Sequence, residues 1–134
     1  IDMMQEQKTL VNMGGTMRLG AYACAIKEDS LAHKIYGETT IAERHRHRFE
    51  LNNKYLEQFE DNGMIASGFN PDSNLVEIIE LPDHPFFIGV QYHPELKSTV
   101  ENPQPIFVNF IKAAKEFSER NVVKEKVRET EMAK

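Results

Sequence analysis

The strongest constraint on the fold is an apolar run at residues 86–90 (FFIGV) that ends at the polar segment 91–95 (QYHPE). A short apolar run between prolines predicts a buried strand. Because a proline disfavours helical backbone at the residue before it, His93 is expected to be extended. Side chains two residues apart in an extended chain point the same way, so His93 and Glu95 are expected to meet on one face.

A histidine beside a carboxylate can supply the base and its orienting group in a nucleophilic triad. The carboxylate fixes the imidazole tautomer and stabilises the imidazolium that forms when the histidine takes a proton. Catalytic groups of open α/β sheets lie beyond the carboxyl ends of strands, where this pair is predicted. His93 and Glu95 are therefore the candidate catalytic residues. The plainer interpretation is a strand-to-loop turn with a surface histidine.

The sole cysteine, Cys24, is a poor candidate for the missing nucleophile. Reactive cysteines in such folds usually occupy a tight, glycine-flanked turn between strand and helix. Cys24 instead lies inside the alternating segment 16–26, so we expect a small core residue. One cysteine cannot form an internal disulfide, which makes a reducing cytoplasm the expected location.

Hydrophobic patterns predict strands and helices in alternation, which indicates an α/β fold. We predict a loop at 1–15, a strand at 16–26, a short helix between Ser30 (or Asp29) and Gly37, and an extended segment at 39–49. A helix from Asn53 to Asn62 and a hairpin of strands 64–69 and 75–81 are predicted next. The strand at 86–90 and a final helix, which follows a loop containing Pro103 and Pro105, complete the chain.

Two apolar faces stand out, and the one on the final helix is predicted to face the core. The first lies on the strand 16–26 and contains Met17, Leu19, Ala21, Ala23 and Ala25. The second lies on the final helix and contains Phe107, Phe110, Ile111, Ala114 and Phe117. Beyond residue 117 the chain is rich in charge, and residues 118–134 are predicted to form a charged helical or disordered tail.

The totals exclude several classes of protein. A chain of 134 residues has the length of one domain, and its net charge of −5 argues against broad nucleic-acid binding. No apolar stretch approaches the ~20 residues that a membrane span requires. The chain starts at Ile1 with no secretory leader, and the few predicted strands would leave an open sheet edge, so we expect a piece of a longer polypeptide.

The segment 44–48 (RHRHR) is the second candidate site. In an extended chain its arginines would share one face and its histidines the other. Arginine forks bind carboxylates and phosphates, so one or more could hold an anionic substrate. A solvated basic patch paired with Glu43 and Glu50 is an equally good interpretation. A metal site at His45 and His47 is disfavoured because adjacent arginines repel cations.

Together, the segments 14–20 (GGTMRLG), 43–50 (ERHRHRFE), 76–80 (VEIIE) and 91–95 (QYHPE) closely resemble the C-terminal end of the CTP synthase family. The glutaminase domain of that family is a class I glutamine amidotransferase. The resemblance covers residues 1–117 and leaves the tail outside. It implies a flavodoxin-like sheet flanked by helices, of which this chain is the C-terminal portion.

The resemblance also implies chemistry. Such enzymes hydrolyse L-glutamine and pass the ammonia to a synthase domain, which aminates UTP to CTP with ATP and Mg²⁺. His93 would match the catalytic histidine, Glu95 the glutamate that orients it, and Arg48 a glutamine-binding residue. No cofactor is expected in residues 1–134, no nucleic acid or membrane is expected as a partner, and a homo-oligomeric parent enzyme is expected.

In this family the nucleophilic cysteine and the oxyanion-hole glycines lie upstream of the segment that resembles this chain. Residues 1–134 would need the missing N-terminal half of the amidotransferase domain, so we expect them to be inactive alone. Two alternatives stay open: a non-catalytic assembly or binding module, and the glutaminase part of another class I amidotransferase.

Overall fold

The computed structural model describes residues 2–3 and 17–132. Strand β1 (Asp2–Met3) pairs antiparallel with β4 (Phe49–Glu50). The prediction of a loop was therefore wrong for these two residues, because their extended backbone meets a partner that lies far along the chain. The rest of the predicted loop lies outside the described residues.

The remaining elements alternate as predicted. They are β2 (Arg18–Ile26), α1 (Leu31–Tyr36), β3 (Thr40–His47), α2 (Leu56–Asp61), β5 (Ile65–Phe69), β6 (Val76–Glu80), β7 (Ile88–Val90) and α3 (Pro105–Met132), with 3-10 turns at Asn53–Tyr55 and Pro94–Leu96. The described strands β2, β3, β5, β6 and β7 form one antiparallel sheet in the order β3-β2-β5-β6-β7. The mixed α/β class and the β5–β6 hairpin are confirmed.

The sheet curls, so that strands far apart in its order meet inside it. The Arg18 guanidinium on β2 contacts the Glu77 carboxylate on β6, with Nη1 2.5 Å from Oε1. His45 on β3 places Nε2 3.7 Å from the other oxygen of that carboxylate. All three side chains are buried. An apolar cluster of Cys24, Ile26, Ala32, Ile41, Ile78 and Tyr92 forms the rest of the core.

Strand β2 buries the face that carries Cys24, in line with the core position expected for that residue. Arg18, Cys24 and Ile26 are buried, whereas Leu19 is 57% exposed. The mostly small apolar face formed by the odd positions is the more exposed one. The ion pair with Glu77 lets Arg18 lie inside, and that partner belongs to a strand which the local pattern does not include.

The apolar stripe of α3 also does not face the core. Phe107, Phe110 and Ile111 are exposed, and the helix buries Ile106 in its first turn instead. Helical periodicity identifies a stripe but does not say which neighbour covers it. Strand β7 is half-buried rather than buried, because it is an outer strand in the order of this sheet.

Helix α1 has only six residues, so its ends depend on caps. Ser30 Oγ accepts from His33 N, and Gly37 ends the helix with φ +71°. A third cap comes from β6, where the Glu80 carboxylate accepts from Leu31 N at 2.9 Å and Ala32 N at 2.7 Å. Glu80 is 2% exposed and therefore has little contact with water. The amide donors at the positive end of the helix stabilise its carboxylate instead.

We expect Glu80→Ala to lower the free energy of unfolding by about 3 kcal/mol, because buried donors then lose an ionised acceptor. Glu80→Gln keeps one carbonyl acceptor and should lose less. Urea unfolding measures both variants, with the exposed Glu28→Ala as control, expected within about 0.5 kcal/mol of wild type. A Glu80→Ala variant as stable as that control would contradict the capping role.

Acid should destabilise the protein through His45. Burial and the nearby positive Arg18 lower the pKa of His45 to about 3, against ~6.5 for an unfolded histidine. Between these values the unfolded chain binds more protons, so the free energy of unfolding falls as the pH drops below ~6.5. At pH 5, His45 alone should cost about 2 kcal/mol relative to neutral pH.

The variant His45→Asn tests this expectation, since its amide can still donate from the Nδ1 position but does not titrate. Between pH 7 and pH 5, the free energy of unfolding should fall in both proteins. The fall should be smaller in the variant, and the difference between the two falls should be about 2 kcal/mol. Equal pH dependence in urea titrations of the two proteins would show that another group is responsible.

Candidate functional site

His93 and Glu95 meet directly after β7, as predicted. His93 Nδ1 lies 2.7 Å from Glu95 Oε1. His93 is extended (φ −110°, ψ 87°), but Glu95 lies in the 3-10 turn Pro94–Leu96. The predicted contact is therefore confirmed, while the predicted extended backbone through Glu95 is wrong, because proline starts the turn at once.

The hydrogen bond fixes how this pair is protonated. It lowers the pKa of Glu95, whose carboxylate is therefore ionised at neutral pH and can only accept. Nδ1 of a neutral His93 then carries the hydrogen, and Nε2 becomes the proton acceptor of the ring. The His93 side chain is 39% exposed, so that a substrate group can approach it. This arrangement suits a general base with an orienting carboxylate.

Backbone hydrogen bonds hold the loop that carries His93. Gln91 N donates to Glu77 O at 2.9 Å, which continues the β6–β7 ladder, and His93 N donates to Arg44 O at 2.8 Å. The two acceptor oxygens belong to β6 and β3, which are separated by two other strands in the sheet order. The loop thus spans the open side of the curled sheet.

Tyr92, between these two residues, anchors the loop in the core. It is 3% exposed, and its hydroxyl lies 3.0 Å from the Tyr36 hydroxyl. Its ring meets the ring of His45 edge-on, with 6.0 Å between centroids. Burial raises the pKa of Tyr92 far above its usual value, so this residue serves as a neutral, packed anchor.

Arg48 lies at the break between β3 and β4 and is half-buried. The predicted alternation holds along β3, where Arg44 and Arg46 are exposed and His45 is buried. Arg48 itself follows the last residue of that strand. Its neighbour Phe49 accepts from Gln91 Nε2 at 3.1 Å, so the turn at Arg48 is joined to the loop of His93.

Further residues that support this site were not found from the sequence. Lys97 Nζ donates to Ala42 O at 2.7 Å, and Gln104 Nε2 donates to the buried Glu43 carboxylate at 2.9 Å. One of the two interpretations of the segment 44–48 placed Glu43 in a solvated patch, but Glu43 is 2% exposed. Alternation along the strand places Glu43 on the same face as His45, but the burial of that face follows from the tertiary structure.

A cavity of about 370 Å³ lies beside this region and is lined by Tyr36, Glu43, Lys97 and Gln104 among others. None of the predicted site residues lines it. The cavity is therefore separate from the exposed pair at His93, and we assign it no function.

Cys24 is a core residue, as expected. It is fully buried in the apolar cluster, and burial raises its pKa to about 12. A thiol in this state is a poor nucleophile. Within residues 2–3 and 17–132, no group of three or more His, Cys, Asp or Glu residues could hold a metal ion. The described helices include none that is long and apolar enough to cross a membrane.

Comparison with protein families identifies the chain. The model of the family described as glutamine amidotransferase class-I matches residues 3–113. The CTP synthase of Cytophaga hutchinsonii is 64% identical over 118 residues, which are 88% of this chain and 22% of that protein. The CTP synthase of Methanothermobacter thermautotrophicus is 56% identical over 118 residues, with the same shares. The chain thus spans about a fifth of these relatives.

A solved structure supports the same assignment. The glutaminase domain of Trypanosoma brucei CTPS with bound acivicin superposes with a TM-score of 0.72 at 38% identity, over 78% of this chain and 42% of that chain. The resemblance inferred from the four sequence segments is confirmed, and so is the partial amidotransferase fold. The chain belongs to the class I glutamine amidotransferase family.

Proposed function

We propose that this chain is the C-terminal part of a CTP synthase glutaminase, which hydrolyses L-glutamine to supply ammonia for the ATP-dependent amination of UTP. The observation that carries the proposal is the 2.7 Å contact between His93 Nδ1 and Glu95 Oε1 at the end of β7. The chain is 64% identical to a CTP synthase over 88% of its length, which supports glutamine hydrolysis as the reaction of that pair.

His93 would act as the base and then as the acid. A cysteine thiol loses its proton to His93 Nε2, and the thiolate attacks the amide carbon of glutamine. The imidazolium then returns this proton to the leaving ammonia, and a glutamyl thioester remains for water to hydrolyse. Glu95 stabilises the imidazolium through Nδ1 throughout.

The nucleophile would come from outside residues 1–134. Cys24 is buried in the core, where its raised pKa keeps it protonated. The oxyanion hole is proposed to lie in the same missing part of the domain. We therefore expect the isolated chain of residues 1–134 to show no glutamine hydrolysis, since removing a triad member alone costs several orders of magnitude.

Arg48 is proposed to bind the α-carboxylate of glutamine. A guanidinium matches a carboxylate in a bidentate fashion, and the turn at Arg48 is joined to the His93 loop through Phe49. ATP, Mg²⁺ and UTP are proposed to bind a synthase domain outside this chain. We place the enzyme in the cytoplasm and expect it to be a homo-oligomer.

In the full-length protein, His93→Ala should lower kcat for glutamine hydrolysis by about 10³-fold or more, because the thiol loses its base. CTP formation from added ammonium chloride should be unchanged, since it bypasses the glutaminase. The variant His33→Ala, which removes a half-buried histidine of α1, serves as control. Glutamine turnover at the wild-type rate in His93→Ala would refute the proposal.

Glu95→Gln should lower kcat less severely, by about 10²-fold, because His93 remains but loses its fixed tautomer and the charge that stabilises its cation. Steady-state glutaminase assays measure the loss. A fall in the KM for glutamine without any fall in kcat would mean that Glu95 does not act on His93.

A further inference from the structure

We propose that His47 and Gln91 are positioning residues that fix Arg48 relative to His93 by holding one atom, the carbonyl oxygen of Phe49. This inference rests on the proposed function, because it takes Arg48 as the ligand of glutamine and His93 as the base. It adds two residues to the site that touch neither glutamine nor the reacting atoms.

The Phe49 carbonyl accepts two hydrogen bonds from opposite sides of the site. His47 Nδ1 lies 3.0 Å from this oxygen, and Gln91 Nε2 lies 3.1 Å from it. A carbonyl oxygen has two lone pairs, so both bonds can form together. His47 belongs to β3, whereas Gln91 belongs to the loop of His93. One oxygen therefore joins the two halves of the proposed glutamine site.

Arg48 needs such support because it lies at a break in the strand. Strand β3 ends at His47 and β4 begins at Phe49, so Arg48 belongs to neither ladder. The backbone of this residue contributes to the direction in which its side chain leaves the chain. The bond from His47 Nδ1 to Phe49 O spans Arg48 and limits the backbone angles on both of its sides.

The position of the hydrogen on His47 follows from its partner, the Phe49 carbonyl. A carbonyl can only accept, so His47 Nδ1 must donate, and Nε2 of the neutral ring then accepts from His45 Nδ1 at 2.8 Å. His45 Nε2 is left without hydrogen, which agrees with its 3.7 Å separation from Glu77 Oε2, too long for a hydrogen bond. Burial lowers the pKa of both histidines, which keeps them neutral.

The resulting chain of contacts runs from the core to the substrate side. His45 holds the ring of His47, His47 donates to the Phe49 carbonyl, and Gln91 connects that carbonyl to the loop of His93. Loss of either donor should let Arg48 move relative to His93. Glutamine binding should then weaken before the chemistry of the thiol does.

The experiment measures kcat and KM for glutamine hydrolysis by the full-length protein. His47→Ala removes the donor and should raise KM about tenfold with kcat within about twofold. His47→Asn keeps a donor at the position of Nδ1 and should return KM to within about threefold of wild type. Gln91→Glu keeps the shape but offers only acceptors to the carbonyl, and should raise KM about tenfold.

The double variant His47→Ala/Gln91→Glu separates positioning from general damage. Because both residues act through one oxygen, the double variant should be little worse than the worse single variant. The control His33→Ala should leave both constants unchanged. If His47→Ala does not fold, Gln91→Glu still tests the inference, because Gln91 lies in a surface loop.

Three results would overturn this inference and leave the proposed function intact. The first is a wild-type kcat and an unchanged KM in both His47→Ala and Gln91→Glu. The others are a KM that His47→Asn does not restore, and effects on KM that multiply fully in the double variant. Absence of glutamine hydrolysis by the full-length wild type would instead refute the proposed function, and this inference with it.

Discussion

The hydrogen bond from His93 N to Arg44 O, 2.8 Å long, joins the loop after β7 to β3, which stand at opposite ends of the strand order. Because the sheet curls far enough for this bond to form, the two sequence segments of the proposed site become neighbours. The loop that carries His93 can therefore be short. It crosses the gap with Tyr92 packed in the core and His93 presented at the surface.

Inside the curl, the fold holds charges that would be costly without partners. Arg18, His45 and Glu77 come from three strands and meet around one carboxylate. Such a cluster adds little net stability compared with apolar residues, but breaking it by removing one partner is strongly unfavourable. Glu80 is a second buried carboxylate with partners, since it accepts hydrogen bonds from the first backbone amides of α1. These buried carboxylates of β6 therefore specify how the helix and the strands are placed.

Local patterns were sufficient for features that depend on neighbours in the chain. The turn-forming residues 70–74 (NPDSN), between two apolar segments, predicted the β5–β6 hairpin, and Ser30 and Gly37 as caps predicted α1. The contact between His93 and Glu95 also lies within three residues. The face of α3 was assigned wrongly, since amphipathic periodicity does not reveal what a face will meet. The division of the chain at residue 117 stays a prediction.

The sequence by itself determined the family, the order of most elements and the residues proposed for catalysis, because motifs and short-range geometry are written in consecutive residues. Only the tertiary structure decided that Arg18, Glu43 and His45 are buried and that the Phe49 carbonyl joins Arg48 to Gln91. These features depend on contacts between strands that are distant in the chain. Such contacts form only once the sheet has curled, and no local pattern encodes that curvature.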